Sequence, residues 1–174
     1  MIRYAITTPS CYSFEYLKNL EKKADFVLLR DKESKNYAKL AKEFIETTKD
    51  FKYKKMLHQD YLLAKELNAF GVHLTSNQFS DIKEAKKLSL FTIISTHNFR
   101  EIKMAKELGA DAITFSPIFN TPNKGKPKGV EVLREAVDRF NIPIIALGGI
   151  VTQKEVELIK KSRAFGFASI RYFC

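Results

Sequence analysis

The chain has 174 residues, a length that fits one domain with a sizeable hydrophobic core. Its 30 Lys and Arg against 20 Asp and Glu give a formal net charge of +10, which favours anionic ligands in general. Because no nucleic-acid-binding motif accompanies this charge, and no apolar run approaches the roughly 18 residues of a membrane span, we expect neither a nucleic-acid nor a membrane partner.

Short apolar strand patterns alternate with amphipathic helix patterns from one end of the chain to the other. The predicted strands span residues 3–7, 26–29, 55–58, 71–74, 91–95, 112–115, 144–147 and 164–170. The predicted helices span residues 13–23, 36–49, 61–67, 80–88, 99–108, 130–140 and 152–162. No eighth helix is predicted, since the sequence stops directly after the eighth strand.

This strict alternation indicates a parallel sheet, because each parallel pair needs a crossover connection and a helix is the usual one. A doubly wound open sheet shows the same alternation, but eight evenly spaced strands favour closure into a (β/α)8 barrel, the TIM barrel. We therefore predict a single α/β domain over residues 1–174 that lacks the last helix of the barrel. Such barrels usually need about 250 residues, so the loops must be short.

The missing helix leaves the flank between the first and last predicted strands uncovered. The residues near this flank are aromatic, namely Phe165, Phe167, Tyr172 and Phe173. An apolar surface of this kind needs cover in water. We expect either a homodimer contact or a shifted N-terminal helix to supply it.

The two cysteines bear on the cellular compartment. Cys11 and Cys174 lie near opposite ends of the chain, with neither CxxC spacing nor a Cys/His cluster, so a structural zinc site is not expected. The first residues enter a strand pattern instead of the apolar stretch of a signal peptide. We expect reduced thiols and a cytoplasmic protein.

Barrel enzymes place their chemistry at the carboxyl ends of the strands. After the seventh predicted strand, the glycines Gly148 and Gly149 let backbone N–H groups approach an anion without a Cβ in the way. Positive charges follow the second, sixth and eighth strands. They belong to Arg30, Lys32, Lys124 and Arg171. Together these groups predict a site for a ligand with one or more phosphates.

Polar side chains follow two further strands. The third strand ends in His58-Gln59-Asp60 and the fifth in Ser95-Thr96-His97. Asp60 and Asp31 are the only carboxylates at a strand end. A metal site with two carboxylate ligands is therefore hard to assemble.

Five stretches, in chain order, resemble the motifs of thiamine phosphate synthases and their TenI-like relatives. Residues 27–32 are similar to Val-Gln-Leu-Arg-Glu-Lys, residues 57–60 stand where Leu-Ile-Asn-Asp is usual, and residues 116–124 are similar to Gly-Pro-Ile-Tyr-Pro-Thr-x-Thr-Lys. Gly71-Val72-His73-Leu74 and Ser95-Thr96-His97 match the motifs of strands four and five. The resemblance covers nearly the whole chain.

In synthases of this family, a thiazole phosphate attacks a pyrimidinyl-methyl diphosphate, and pyrophosphate leaves with help from Mg²⁺. The resemblance implies one subsite for each substrate and one metal ligand, Asp60. The pyrimidine diphosphate would be held by Arg30, Lys32, Gln59, Ser95 and Lys124. The thiazole phosphate would be held by Thr121, Gly149 and the backbone around Ile170 and Arg171.

Four departures from the synthase pattern bear on its substrate and Mg²⁺ sites. Leu28 replaces a Gln of strand two, and Gln78 replaces the second Asp that binds Mg²⁺. Asn123 replaces a Thr, and Arg171 replaces a Ser. Loss of one of two anionic ligands weakens Mg²⁺ binding, so the diphosphate side of the site departs more than the thiazole phosphate side.

This pattern favours the TenI branch, whose thiazole tautomerases bind a thiazole phosphate and need only proton transfer, without a cofactor. The histidine of those enzymes aligns with Pro117, so His97 or His58 would be the general acid or base here. We therefore predict a TenI-like protein that binds thiazole phosphate, with tautomerase chemistry or a degenerate site. The alternatives are a Mg²⁺-dependent thiamine phosphate synthase and a non-catalytic regulator that binds a thiamine precursor.

Overall fold

The computed structural model describes all 174 residues, with eight parallel strands paired in chain order around a closed barrel. The strands are β1 (Ile2–Ile6), β2 (Phe26–Leu29), β3 (Lys54–His58), β4 (Gly71–Leu74), β5 (Phe91–Thr96), β6 (Ala112–Phe115), β7 (Ile144–Leu147) and β8 (Gly166–Ser169). The barrel closes through pairing of β8 with β1, in which Ala5 lies opposite Ser169. The prediction of a closed barrel over an open sheet is confirmed.

Seven α-helices connect the strands on the outside of the barrel. They are α1 (Phe14–Lys23), α2 (Tyr37–Thr47), α3 (Tyr61–Glu66), α4 (Asp81–Lys87), α5 (Phe99–Leu108), α6 (Gly129–Arg139) and α7 (Gln153–Lys161). A 3-10 turn at Pro9–Cys11 precedes α1, and no helix follows β8, as predicted. None of these helices has the length and apolar character needed to cross a membrane.

Five helices begin at a capping residue that is visible in the sequence. The side chains of Ser13, Asn36, Asp60, Asn98 and Thr152 each accept a hydrogen bond from a backbone N–H in the first turn of the following helix. Each cap typically contributes about 1 kcal/mol, because it satisfies a donor that has no partner inside the helix. The caps fix where the loops at the carboxyl ends of the strands stop.

The barrel interior and the layer between strands and helices form two hydrophobic cores. At the end where the strands begin, the rings of Phe26, Phe70 and Phe91 pack with centroids 5.2 to 5.6 Å apart. These rings fill the lower end of the interior. The interior can therefore open only at the carboxyl ends of the strands.

The C-terminal tail of the chain covers the flank between β1 and β8. Phe173 is 5% exposed and stacks on Phe167, with ring centroids 5.8 Å apart. Tyr172 packs edge-on against both rings, and its hydroxyl donates to Gln153 at the start of α7. The residues after β8 therefore fold back onto the barrel and supply cover that was expected from a homodimer contact or a shifted N-terminal helix, while Phe165 remains 41% exposed. The homodimer stays a prediction.

A disulfide ties this tail to the other end of the chain. Cys11 and Cys174 are bonded, with Cα atoms 5.9 Å apart, although 163 residues separate them in sequence. The expectation of reduced thiols is wrong for this structure. β1 and β8 are neighbours in the closed barrel, so the segments that follow them meet at the same end. The expected cytoplasmic location rested on reduced thiols and loses that support.

Candidate active site

A cavity of about 580 Å³ opens at the carboxyl ends of the strands. Its lining brings together nearly all the residues that the sequence predicted for the site. These are Arg30, Lys32, His58, Gln59, Ser95, His97, Thr121, Lys124, Gly148, Gly149, Ile170 and Arg171. Loops that follow six of the strands thus converge on one space, as expected for the active end of a barrel.

The cavity carries charge of one sign only. Four cations line it, and none of its lining residues is Asp or Glu. Arg30, Lys32, Lys124 and Arg171 take part in none of the salt bridges of the structure. Burial lowers the pKa of Arg30 from its ordinary value, because the charge is held partly away from water. An anionic ligand would supply the missing negative charge.

Gly148 and Gly149 shape the turn after β7. Their φ angles of +100° and +70° lie in a region that other residues rarely adopt. A Cβ at Gly149 would lie 2.5 Å from the carbonyl oxygen of Asn120, and one at Gly148 would lie 2.8 Å from Cα of Pro117. Only glycine fits at these positions, because the loop after β6 packs directly against the turn.

Residues after β7 and β8 that line this part of the cavity carry unpaired backbone donors. The N–H groups of Gly148, Gly149, Ile170 and Arg171 have no acceptor within the protein. Adjacent unpaired N–H groups form an anion-binding concavity, and the loops after the last two strands are a frequent phosphate site in barrels. The geometry therefore offers a backbone phosphate site next to the Arg171 side chain.

The two positions compared with the Mg²⁺ ligands of synthases do not present a pair of carboxylates to the cavity. Asp60 is not among the lining residues, and its Oδ1 accepts the N–H of Leu63, 2.8 Å away, as the cap of α3. The Gln78 amide donates to the Gln59 carbonyl and to Asp81. No cluster of three or more His, Cys, Asp or Glu residues could hold a metal ion. The protein alone therefore supplies no pair of carboxylates for Mg²⁺, an ion that is usually held by one or two carboxylates together with substrate phosphates and waters.

His97 lines the cavity in contact with Ser116. Its Nδ1 lies 3.2 Å from the Ser116 hydroxyl and 3.3 Å from the Ser116 carbonyl oxygen. Because a carbonyl oxygen only accepts, the tautomer that satisfies this contact carries its proton on Nδ1 and a lone pair on Nε2. The backbone N–H of His97 donates to Glu101, which fixes the loop. His97 can thus accept a proton at Nε2.

The other two histidines are neutral near pH 7. His73 lies at the floor of the cavity, with Nδ1 3.1 Å from the Tyr4 hydroxyl and Nε2 3.1 Å from the Ser95 hydroxyl. Burial, helped by nearby His58 and Arg30, lowers the pKa of His73 to about 3. Burial and two neighbouring cations lower the pKa of His58 to about 4. Neither ring carries a charge that an anion could use.

We expect the neutral, buried His73 to make the protein acid-labile. Between pH 6.5 and about 3 the unfolded chain binds a proton at this residue and the folded chain does not. Stability is therefore fully present above pH 6.5 and falls as the pH drops, by up to about 1.4 kcal/mol per unit. Urea unfolding of the wild type and of His73→Asn from pH 7 to 4 tests this. The variant should show the shallower slope, and equal slopes would contradict the assignment.

Several polar cavity residues were missed by sequence reasoning, namely Thr75, Ser76, Asn77, Ser116 and Ser169. Ser116 lies in the motif after β6 and contacts His97, yet no site role was predicted for it. The family motif has Gly at this position, so the serine is a departure that could have marked it. His73 lies inside β4 and has partners on both ring nitrogens, which is typical of a structural role.

Comparisons with known proteins agree with the resemblance seen in the sequence. A profile of the thiamine monophosphate synthase family matches residues 4–173. A protein of Aquifex aeolicus (strain VF5), named putative thiamine-phosphate synthase 2, is 35% identical over 98% of this chain and 96% of its own length. A thiamine-phosphate synthase of Lactococcus lactis subsp. cremoris (strain MG1363) is 30% identical over 73% of this chain and 61% of its own.

A solved structure shares the fold. Thiamine phosphate pyrophosphorylase from Pyrococcus furiosus superposes with a TM-score of 0.84, over 97% of this chain and 85% of that chain, at 24% sequence identity. At this identity the likeness supports the barrel alone, whereas the profile and the Aquifex relative extend over nearly the whole sequence. The chain therefore belongs to the thiamine monophosphate synthase family.

Proposed function

We propose that this protein is a thiamine-phosphate synthase, which joins a pyrimidinyl-methyl diphosphate to a thiazole phosphate and releases pyrophosphate. The observation that carries the proposal is a single cavity, free of carboxylates, with two sets of anion-binding groups. Side-chain cations form one set and backbone donors form the other. A tautomerase needs only one phosphate site. The names of the relatives also favour the synthase over the TenI-like tautomerase.

The diphosphate would lie against Arg30, Lys32 and Lys124. As the thiazole attacks the methylene carbon, the bond from that carbon to the diphosphate oxygen breaks, and its electron pair leaves with pyrophosphate. Negative charge grows on the leaving group, and cations already fixed in the cavity stabilise it without reorganisation. The lowered pKa of Arg30 supports this role, because a partly desolvated cation interacts more strongly with an anion than a hydrated one.

The thiazole phosphate would bind at the backbone donors after β7 and β8. Donors on a rigid backbone lose little conformational entropy when they bind, since Gly148 and Gly149 are held in place by the loop after β6. Thr121 lines the cavity beside this turn, and its hydroxyl, which donates to the Phe119 carbonyl oxygen in this structure, would have to turn to donate to the phosphate. This arrangement would orient the thiazole toward the diphosphate, which is the main requirement of a reaction between two bound substrates.

No step of this mechanism is assigned to Mg²⁺. Synthases of the family use the ion, but here the Asp60 carboxylate caps α3 and the Gln78 amide is bound to Asp81. The side-chain cations supply positive charge on the protein itself. The dependence of the coupling reaction on Mg²⁺ is therefore to be measured.

A second function is favoured by one observation, the contact between His97 and Ser116. A histidine with a free Nε2 in a phosphate-binding cavity is suited to move a proton on the thiazole ring, as a TenI-like tautomerase requires. His58 is less suited, because its lowered pKa makes it a weak base. A non-catalytic regulator would bind the same ligands and carry out neither reaction.

The test is a coupling assay with purified protein, pyrimidinyl-methyl diphosphate and thiazole phosphate, with thiamine phosphate detected as its fluorescent oxidation product. Reactions with Mg²⁺ and with EDTA run in parallel, beside an established synthase. We expect product with this protein above the rate without enzyme. Product in EDTA would show that the cations suffice.

Absence of product from a folded protein would overturn the synthase proposal. Interconversion of the thiazole phosphate tautomers, lost in His97→Asn, would then support the second function. Binding of thiazole phosphate without either reaction would support a regulator.

A further inference from the structure

The two segments joined by the disulfide both lie at the cavity end of the barrel. Cys11 closes the 3-10 turn Pro9–Cys11 that follows β1, and Cys174 is the last residue after β8. Ile170 and Arg171, only a few residues before Cys174, line the cavity. The disulfide is therefore close, along the chain, to the backbone that is proposed to bind phosphate.

The tail from Ile170 to Cys174 is a compact turn. The N–H groups of Phe173 and Cys174 both donate to the Ile170 carbonyl, at 3.1 Å each. The N–H of Tyr172 donates to the Ser169 hydroxyl. Because these bonds connect the end of the tail to Ile170 itself, the position of Cys174 and the position of Ile170 are coupled.

Few contacts other than the disulfide hold the two joined segments in place. The 3-10 turn contains no buried residue, and its backbone hydrogen bonds stay within the turn. No helix follows β8 to press the tail onto the barrel. The ring of Phe173, the ring of Tyr172 with its hydroxyl bond to Gln153, and the disulfide connect the tail to the rest of the molecule. Loss of the disulfide leaves only the noncovalent contacts to hold this segment.

We propose that the Cys11–Cys174 disulfide is a redox-dependent clamp that holds Ile170 and Arg171 in the geometry that binds phosphate. Opening needs a dithiol reductant: the disulfide takes up two electrons and two protons, the dithiol becomes a cyclic disulfide, and Cys11 and Cys174 become thiols. The tail then moves more freely, and the backbone donors must be ordered again when phosphate binds. Reduction therefore weakens binding. This inference rests on the proposed phosphate site after β7 and β8.

Calorimetric titration with thiazole phosphate tests the clamp, using the protein as purified and after treatment with dithiothreitol. We expect the reduced protein to bind about tenfold more weakly, a factor equal to about 1.4 kcal/mol, which is the order of the cost of fixing one residue. Amide hydrogen exchange gives a second readout. The N–H groups of residues 172–174, which are hydrogen-bonded in the tail, should lose protection on reduction while the barrel strands keep theirs.

Two variants separate loss of the disulfide from other effects of the reductant. Cys11→Ser and Cys174→Ser should both resemble the reduced wild type, and dithiothreitol should change neither further. Thiol titration of the denatured, unreduced wild type should find no free thiol. Two free thiols, or equal affinity and equal protection of residues 172–174 in both redox states, would overturn the clamp. Failure of the oxidised protein to bind thiazole phosphate would instead overturn the phosphate site, and the clamp with it.

Discussion

Replacing Arg30 by alanine is expected to lower kcat/KM for the coupling reaction by about 100- to 1,000-fold. The guanidinium lies half-buried in a cavity that contains no carboxylate, so a bound diphosphate is the only group that can pair with it there. Removing one preorganised donor from such a site typically costs about 3–4 kcal/mol of transition-state stabilisation. Steady-state kinetics with varied pyrimidinyl-methyl diphosphate measures the effect, and kcat should fall as well as kcat/KM.

Arg100→Ala provides the matched control. Arg100 is exposed on α5, takes part in no salt bridge and lies outside the cavity, yet its loss changes the net charge by the same amount. Its kcat/KM should stay within about twofold of the wild type, because a distant charge acts only through the general field. If the two variants lose activity equally, the diphosphate does not lie at Arg30, and the assignment of that side of the cavity is wrong.

The barrel could be predicted because its signals are local. Each strand is a short apolar run, and residues such as Ser13 and Asn98 mark helix starts by their capping chemistry. The disulfide could not be found from local pattern, since 163 residues separate its cysteines. The disulfide does follow from closure of the barrel. Once β1 and β8 are neighbours, Cys11 after β1 and Cys174 after β8 lie at the same end of the barrel.

The place of a predicted site residue in the cavity follows from the sequence where that residue simply comes after a strand. Arg30, Lys124 and Gly149 reach the cavity for that reason. Asp60 also follows a strand but begins a helix, and its carboxylate binds the backbone of the first turn instead. The sequence already indicated that Asp60 could serve either as a metal ligand or as a helix cap, because Asp is a preferred capping residue. Ser116 was missed since its contact with His97 depends on the register of two neighbouring strands.

The choice between synthase and tautomerase from the sequence depended on residues whose surroundings are visible only in the structure. Leu28 is buried in the barrel interior, where it packs with other apolar side chains and also borders the cavity. Leu28 stands where the family pattern has Gln and makes part of the cavity wall apolar. This substitution was one of those counted against the synthase. The cations after β2 and β6, which the proposed diphosphate site needs, all line the cavity.

Replacing Gly71 by alanine is expected to destabilise the fold by at least about 3 kcal/mol and to lower Tm by about 6–12 °C. Gly71 begins β4 and pairs with Phe91 of β5. A Cβ there would lie 2.0 Å from the Phe91 carbonyl oxygen, which is backbone and cannot turn away. Relief requires the two strands to separate, against the ladder that closes the barrel. Thermal unfolding followed by circular dichroism measures the loss.

Gly125→Ala is the control for this variant, because a Cβ at Gly125 meets nothing within 4 Å. It should leave stability unchanged or raise it by about 0.4–1 kcal/mol, as alanine restricts the unfolded chain. The strand shift in Gly71→Ala should also move His73, two residues along β4, away from the Ser95 hydroxyl that lies 3.1 Å from it. In Gly71→Ala, both the acid lability of the protein and the shape of the cavity should therefore change. Equal Tm values for the two variants would mean that β4 and β5 can separate at Gly71 without loss of stability. The close pairing at Gly71 would then not be needed to hold His73 at the floor of the cavity.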